Sequence, residues 1–478
     1  MMNKFERSRR HFLRNASMAS MAGLSVSPFL LELNSLAAMA QGSGSSGYRA
    51  LVCVFLQGGN DGHGTVIATD PDSFSAFTQA RSGAPGLAYP QSELLPITLK
   101  TPQSGRTFAL NPALTGVQNL FNAGRAAIVA NTGTLIAPAT KTQVNANSVP
   151  LPSSLFSHFD QTAAWQAIAS NGGSAEHIGW GGSVADMIES MNMNSNSMFT
   201  CISTAGIALF LCGQTSFQLN VTSAGPIPIY GIVQPPFGLP ESANPLNSIL
   251  TADETNLFAK EYGVVVNRSM QAQAQLASAM LPAGVGGIPN PPQYLDPMTK
   301  KLTDNPLASS LQTVARIISG SSSLGVTRQI FYVQLGSFDT HNNQAIQHAQ
   351  LLTQLGEAFE YFDGLMVAAG MGNQVTTFTA SDFGRTLTSN SNGTDHGWGS
   401  HHFVVGGAVQ GQDMYGQYPI IGVNQANDLG AGRLIPTTAV DQYAGTLARW
   451  FGLSDGQVRQ VFPNFGNFGS SPYLGFLD

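Results

Sequence analysis

The stretch YRALVCVFL, residues 48–56, is an almost unbroken apolar run that leads directly into GGNDG at residues 58–62. Such a run, bounded by turn-forming residues, is typical of a strand buried on both faces of a parallel sheet. Three later runs repeat the pattern, and each ends in a polar cluster: residues 125–130 (RAAIVA), 329–335 (QIFYVQL) and 374–379 (QVTTFT). We therefore predict a sheet with four buried parallel strands.

Two segments that follow these runs, residues 343–369 and 438–451, carry apolar side chains at helical spacing. Strands that alternate with helices predict an α/β fold with a doubly wound, mostly parallel sheet. Residues 195–300 differ, because short β-like runs there are separated by Pro- and Gly-rich stretches. We interpret them as an inserted, β-rich cap segment that divides the core into residues 48–194 and 301–478.

The amino terminus has the features of an export signal. SRRHFLR at residues 8–14 precedes a mildly apolar stretch, which ends in Ala-Met-Ala at residues 38–40. This pattern predicts a twin-arginine signal peptide over residues 1–40 and a flexible linker over residues 41–47. The alternative is a membrane anchor, but the stretch lacks the unbroken apolar run of about 18 residues that a spanning helix needs. We expect export by the twin-arginine translocase to the periplasm or the outside of the cell, with no stable membrane span after cleavage.

The composition limits the partners of the mature chain. Charged residues make up 10% of the sequence, the net charge is −6, and no basic run occurs. Nucleic acid is therefore not an expected partner. The three cysteines do not form a disulfide scaffold: Cys53 lies in the first apolar run as an expected buried thiol, and Cys201 and Cys212 either pair or remain free.

Three of the four predicted strands are followed by a carboxylate: Asp61, Asp339 and Asp382. In open parallel sheets, ligands bind beyond the carboxyl ends of the strands. Carboxylates that converge there repel one another, and a bound cation removes that cost. Each aspartate taken alone also fits a helix cap or a turn.

Histidines accompany these carboxylates. Asp339 and His341 are two residues apart, so both side chains point to the same side of an extended segment. His396 follows the last acidic cluster, and His401 and His402 come soon after. In a strand those last two point to opposite faces, so at most one joins the site, and we favour His402. Mixed carboxylate and imidazole ligands suit zinc or manganese, whereas carboxylates alone suit magnesium or calcium.

Ser157, within SHFD at residues 157–160, precedes a predicted short helix over residues 161–170. A hydroxyl at a helix amino terminus, beside a cation, is a candidate nucleophile for an anionic ester. Ser157 fits a simple helix cap equally well. Thr65 is a weaker candidate nucleophile, and His63 either contacts substrate or is exposed.

These motifs resemble a family of exported twin-arginine proteins labelled as a domain of unknown function, DUF1501, within the alkaline phosphatase and sulfatase superfamily. The resemblance rests on five motifs: residues 56–62 (LQGGNDG), 157–159 (SHF), 337–341 (SFDTH), 381–385 (SDFGR) and 395–399 (DHGWG). It implies an alkaline phosphatase-like core that holds one or two divalent metal ions.

The resemblance also implies residue roles. Asp61 and Asp382 hold one metal, while the second is held by Asp339 together with the two histidines His341 and His396. Ser157 is the nucleophile that bridges the two metals.

One position departs from the superfamily pattern. Phe383 follows Asp382 where the superfamily has a histidine, and phenylalanine cannot ligate a metal. His158, His402 or Asn60 would have to replace that ligand.

The sequence leaves two main functions open. The first is an exported, metal-dependent hydrolase of phosphate or sulfate esters, in which Arg385 either holds the ester oxygens or pairs with a core carboxylate. The second is a non-catalytic, metal-binding structural or binding protein of the envelope or the extracellular space. A third, weaker interpretation is a carbohydrate-binding protein with Tyr230, Phe237 and Tyr294 on its surface. The oligomeric state stays open.

Overall fold

The computed structural model describes residues 47–103, 105–168, 178–240, 244–252 and 255–477. The predicted signal peptide, residues 1–40, and nearly all of the linker, residues 41–47, lie outside the described residues. Within the described part of the chain, no helix combines the length and the apolar character that crossing a membrane requires.

The described chain has seventeen strands, which are labelled in chain order. They are β1 Arg49–Leu56, β2 Val66–Ala68, β3 Leu95–Ile97, β4 Phe108–Leu110, β5 Ala126–Gly133, β6 Cys201–Ser203, β7 Gln218–Thr222, β8 Gly225–Pro226, β9 Tyr294–Leu295, β10 Leu302–Thr303, β11 Arg328–Leu335, β12 Val375–Ser381, β13 Arg385–Ser389, β14 Thr394–His396, β15 Ser400–Val405, β16 Met414–Tyr415 and β17 Thr438–Ala439.

The α-helices are labelled in the same way. They are α1 Gly62–Thr65, α2 Pro71–Arg81, α3 Thr115–Asn122, α4 Lys141–Asn145, α5 His158–Ala167, α6 Trp180–Ser190, α7 Tyr230–Val233, α8 Leu246–Leu250, α9 Leu257–Ala279, α10 Pro306–Ser319, α11 Gln344–Ala368, α12 Val440–Phe451 and α13 Asp455–Val461. Short 3₁₀ turns occur at Gln91–Glu93, Ser197–Phe199, Leu209–Leu211, Pro236–Gly238 and Phe465–Phe468.

A central sheet organises the fold, with the strand order β16-β5-β15-β12-β1-β11-β6-β7-β8 and β17 beside β5. β1 lies at its centre and pairs in parallel with β11 and with β12. β15 is antiparallel to both β12 and β5, so β5 runs in the same direction as β12. The four predicted strands are therefore present and point the same way, which confirms the mostly parallel α/β sheet.

Helices cover both faces of the sheet, and β1 shows how the two faces differ. Ala50, Val52 and Val54 pack into a core shared with α3, α10 and α11. Leu51 and Cys53, which alternate with them, pack into a second core shared with α6 and α12. This alternation follows from the two-residue period of a strand, and burial on both faces explains why β1 is apolar throughout.

Residues 195–300 extend one edge of the central sheet, since β6 pairs in parallel with β11 and β7 pairs with β6. The long helix α9 in this region contacts α10 and β8. Cys201 and Cys212 are both free thiols, so the disulfide alternative is not formed. Cys53 is a buried thiol, as the sequence predicted.

Candidate metal centre

Three central strands end at the same level, because Leu56 of β1 is in register with Leu335 of β11 and with Ser381 of β12. The loops that follow these strands therefore meet at one edge of the sheet. Gly58 makes their contact possible: its φ is +115°, and a Cβ built there would lie 2.3 Å from the backbone nitrogen of Asp339. Only glycine accepts both that conformation and that approach.

Three imidazoles surround Asp339 in this edge region. The Oδ1 atom of Asp339 lies 3.1 Å from Nε2 of His341, 3.3 Å from Nε2 of His396 and 3.5 Å from Nε2 of His158. We call these four residues the Asp339 cluster. Its members come from three parts of the chain: the first residue of α5, the loop after β11 and the last residue of β14.

The second nitrogen of each imidazole in the Asp339 cluster faces an acceptor. For His158 the acceptor is Oδ2 of Asp382 at 2.6 Å, and for His341 it is Oδ1 of Asp395 at 3.3 Å. For His396 it is the carbonyl oxygen of Phe156 at 2.7 Å. A carboxylate or a carbonyl can only accept, so a neutral ring that donates from Nδ1 to these acceptors presents an Nε2 lone pair, whereas a ring that donates from Nε2 does so to Asp339. All three Nε2 atoms face the Asp339 carboxylate.

The geometry of the cluster fits a metal ion. Nε2 of His341 and Nε2 of His396 are 2.9 Å apart, a contact that either a hydrogen on one nitrogen or a cation shared by both satisfies. Zinc holds imidazole and carboxylate ligands at about 2.0–2.1 Å, which places ligand atoms about 3.4 Å apart in a tetrahedron. The measured separations of 2.9–3.5 Å are close to that edge length. Ligand atoms of His158, Asp339 and His396 all lie within 4.8 Å of one another.

The protonation states of Asp339 and His396 suit ligation, whereas that of His158 opposes it. Burial raises the pKa of Asp339, but the charge and hydrogen bond of Arg385 outweigh this effect and hold that pKa below its usual range. Burial lowers the pKa of His396, which favours the neutral ring. The hydrogen bond to Asp382 raises the pKa of His158, so a metal at this position would compete with a proton.

Phe383 packs against the cluster instead of ligating. Its buried ring lies 4.7 Å from the ring of His158 and 4.6 Å from that of His396, measured between centroids. Gly59 leaves room for it, since a Cβ there would lie 2.5 Å from the Phe383 ring. The residue in place of the expected histidine therefore packs against two imidazoles, and of the three possible replacements His158 is the one that lies in the Asp339 cluster.

Arg385 is buried and fully engaged within the protein. Its Nη1 atom donates to Oδ1 of Asp339 at 3.1 Å and to the carbonyl of Gly58 at 2.9 Å. Its Nε and Nη2 atoms donate to the carbonyl of Thr394. Of the two roles considered for Arg385, the structure has the ion pair with a carboxylate.

Asp61 and Asp382 are not brought together as a second pair of ligands. The Asp61 carboxylate is buried and takes two hydrogen bonds from Arg81, at 2.7 and 2.9 Å, and one from Gln344 at 2.6 Å. Burial raises the pKa of Asp61, but the charge of Arg81 more than compensates and holds it far below its usual range. Asp382 accepts from the backbone nitrogen of Gly58 at 3.0 Å and orients His158. Its place is behind the His158 ring.

His401 and His402 point to opposite faces of β15, as the sequence predicted. The His401 ring stacks on Tyr418 at 4.7 Å. The His402 ring lies 4.8 Å from the ring of Trp165, in the second core, and its Nδ1 atom is 3.2 Å from the hydroxyl of Thr379. Neither imidazole joins the Asp339 cluster, so the preference for His402 was wrong on position, because a fully buried strand keeps both rings in the core.

The candidate nucleophiles have structural contacts. Ser157 caps α5, which begins at His158, by accepting from the backbone nitrogen of Asp160 at 3.4 Å. Thr65 is fully buried and donates to the carbonyl of Asp61 at 2.7 Å. His63 is buried rather than exposed, 3.0 Å from the carbonyl of Gly432.

Asn60, a possible substitute ligand, lies 3.1 Å from Thr65 and 3.0 Å from His348 instead. Sequence reasoning therefore left His158 as one of three alternatives and missed Asp395 as the partner of His341. The order of residues along the chain predicts neither the place of His158 in the cluster nor the contact of Asp395 with His341, although His158 does lie within the SHF motif.

Residues 296–462 match the profile of a family described as "Protein of unknown function (DUF1501)". The matched stretch contains Asp339, His341 and His396 but not His158. No curated protein matches the chain.

Two solved structures are similar in part. One, from work on the metabolism of multiple glycosaminoglycans by Bacteroides thetaiotaomicron, has a TM-score of 0.31 and 10% identity, over 86% of this chain and 74% of the other. The other is the PsFucS1 sulfatase from Pseudoalteromonas sp., with a TM-score of 0.34 and 8% identity, over 89% of this chain and 72% of the other. At these TM-scores neither likeness supports an argument about substrate or mechanism.

Proposed function

We propose that this protein is a hydrolase of phosphate or sulfate monoesters that uses one divalent cation, held by the Asp339 cluster. One observation carries the proposal: ligand atoms of His158, Asp339 and His396 all lie within 4.8 Å of one another, and His341 adds an Nε2 atom 2.9 Å from that of His396. A cation between these atoms would take the place of the hydrogens that the ring nitrogens otherwise need at these distances. Zinc or another ion that accepts imidazole ligands fits best.

The position of the cluster supports a catalytic role over a purely structural one. The side chains of Asp339, His341 and His158 are 47%, 37% and 35% exposed, so a substrate can reach them. A divalent cation supplies Lewis-acid chemistry, because it polarises an ester oxygen and stabilises charge on the departing oxygen. The chain's own residues orient the ligands, since Asp382, Asp395 and the Phe156 carbonyl fix three rings.

The proposed reaction needs only water as co-reactant. A water oxygen bonds to phosphorus or sulfur, the bond from that atom to the alcohol oxygen breaks, and the alcohol leaves with a proton. Ser157 is not needed for this scheme, because its hydroxyl already caps α5.

The first test is elemental analysis of the purified mature chain. We expect about one zinc-like ion per chain, and we expect substitution of His341 or His396 by alanine to remove it. His402→Leu is the matched control, because this imidazole lies in the core and should leave the ion in place. Retention of the ion in both cluster variants would contradict the proposal.

Turnover is tested on 4-nitrophenyl phosphate and 4-nitrophenyl sulfate. We expect activity that a chelator abolishes and that added zinc restores. A chain that binds one ion but hydrolyses neither ester would favour the second function, a metal-binding structural protein. One feature favours that alternative: four protein ligands can fill all four positions around a tetrahedral ion, which leaves no position for a substrate.

A further inference from the structure

A cavity of about 730 Å³ opens directly beside Asp339. Its walls come from the end of β11 and the following loop, residues 334–337, and from α10 and α11. That volume lies within the usual range of about 300–1,000 Å³ for small-molecule sites. Because Asp339 belongs to both, a molecule in the cavity also reaches the cluster.

Glutamines on one face of α11 dominate the polar wall of the cavity. Gln347, Gln350 and Gln354 are spaced three and four residues apart, which places them in one row along the helix. The Gln350 amide nitrogen donates to Oδ2 of Asp296 at 2.9 Å, and that of Gln354 donates to the hydroxyl of Tyr294 at 2.6 Å. These bonds fix both amides and leave each Oε1 atom without a donor among the described residues.

The charge of the cavity wall does not favour an anionic occupant away from the Asp339 cluster. Among its described lining residues, Asp339 is the only charged one. The remaining polar groups are neutral amides and the hydroxyls of Ser310 and Ser337, while Leu335 and Leu351 contribute apolar surface. Amide oxygens accept from hydroxyl groups, and leucine side chains contact the C–H surface between those hydroxyls. A ligand with many hydroxyl groups and no charge matches both the amide oxygens and the leucine side chains.

We propose that this cavity binds the alcohol part of the ester, and that this alcohol is a carbohydrate. The inference rests on the proposed hydrolase, in which the anionic ester group occupies the Asp339 cluster. The sugar ring then lies along the glutamine row of α11, and its hydroxyls donate to the amide oxygens. Substrates of this class are sugar phosphates or sugar sulfates.

Binding is tested without turnover. The mature chain is titrated by calorimetry with a panel of neutral disaccharides: cellobiose, maltose, lactose, chitobiose, mannobiose and xylobiose. We expect at least one to bind, and we expect the Gln347→Met, Gln350→Met double variant to bind it about tenfold more weakly, since each lost hydrogen bond costs a few-fold. The control is Gln271→Met, the same change on the exposed surface of α9.

A single substitution serves as a control for misfolding of the double variant. The Gln347 side chain makes no hydrogen bond within the described chain, so Gln347→Met removes an amide without breaking an internal contact. We expect this variant to melt as the wild type does and still to bind the disaccharide more weakly. Equal binding by wild type and both variants, or no binding of any disaccharide, would overturn the inference.

Turnover separates this inference from the proposed function. We expect the ratio of kcat/KM for glucose 6-phosphate or glucose 6-sulfate to that for the matching 4-nitrophenyl ester to fall about tenfold in the double variant. Hydrolysis of nitrophenyl esters by a chain that binds no disaccharide would overturn the inference and leave the hydrolase. Disaccharide binding that the variants weaken, with no ester hydrolysed, would support the sugar site and overturn the hydrolase.

Discussion

Each imidazole of the Asp339 cluster is aimed by the group behind it. Asp382 illustrates this, because its Oδ1 atom is held by the Gly58 backbone while its Oδ2 atom holds His158 at 2.6 Å. Groups behind metal-binding histidines fix the ring and raise its basicity. In the proposed metal centre, Asp382 supports ion binding by orienting His158 and is not itself a ligand, which differs from the role that the sequence resemblance implied.

Replacing Asp382 by alanine should weaken zinc binding about 10- to 100-fold, the usual effect of removing such a partner. The reason is that His158 loses the acceptor that orients its ring. Calorimetric titration of the metal-free chain with zinc measures the change. Asp304→Ala, at an exposed position, is the control, and an unchanged affinity in Asp382→Ala would show that His158 is not oriented through this contact.

Asp441, which is not a member of the Asp339 cluster, provides a test of pH dependence. Burial raises its pKa to about 7, and its Oδ1 atom has no hydrogen-bond partner among the described residues. The folded chain therefore keeps the proton that an unfolded carboxyl loses near pH 3.9. Stability should fall as the pH rises from about 4 to about 7, by up to ~1.4 kcal/mol per pH unit.

Asp441→Asn removes this charge, so its stability relative to the wild type should increase between pH 5 and pH 8. Thermal unfolding at both pH values measures the difference, and Asp304→Asn is the exposed control. A relative stability that does not change with pH would mean that Asp441 titrates normally in the folded chain.

The sequence predicts some contacts of the candidate site and does not predict others. Asp339 and His341 were paired correctly because a separation of two residues fixes their common side. The partners of Asp61 were not foreseeable, because Arg81 and Gln344 reach it only through packing of α2 and α11. Likewise, no pattern shows that His158 at the start of α5 lies beside Asp382.

Among the elements, the long strands and helices agree closely with the prediction. The predicted helix over residues 343–369 is α11, Gln344–Ala368, and the predicted strand over residues 48–56 is β1. Repeated apolar spacing over many residues gives a strong signal. β14 has three residues and, within the described chain, pairs only with β13, so it is too short for an apolar periodicity to predict it, although it places His396.

Helices α3 and α11 cross at a point where one glycine has no room for a side chain. A Cβ on Gly116 would lie 2.3 Å from the carbonyl oxygen of Gly356. Gly116→Ala should therefore destabilise the chain by about 1–3 kcal/mol through overpacking. Gly364→Ala, also in α11, meets nothing within 4 Å and should stabilise by about 0.5–1 kcal/mol. Thermal unfolding compares the two, and equal effects would contradict this crossing.

For the whole molecule, we propose that the chain leaves the cytoplasm in folded form. Replacing Arg9 and Arg10 together by lysine should leave the precursor inside the cell, because the twin-arginine pair is the recognised feature. Cell fractionation followed by immunoblotting measures the distribution. Arg14→Lys, which leaves the pair intact, is the control, and normal export of the double variant would contradict the proposal.

The ligands of the Asp339 cluster come from chain segments that are far apart in sequence, at His158, Asp339 and His396. An ion bound there acts as a reversible cross-link, which restricts the unfolded chain in the way that closing a long loop does. Because the unfolded chain has no preformed site, binding adds to stability by about 2.7 kcal/mol when the free ion is 100-fold above its Kd. The supply of ion in the compartment then becomes a determinant of the lifetime of the protein.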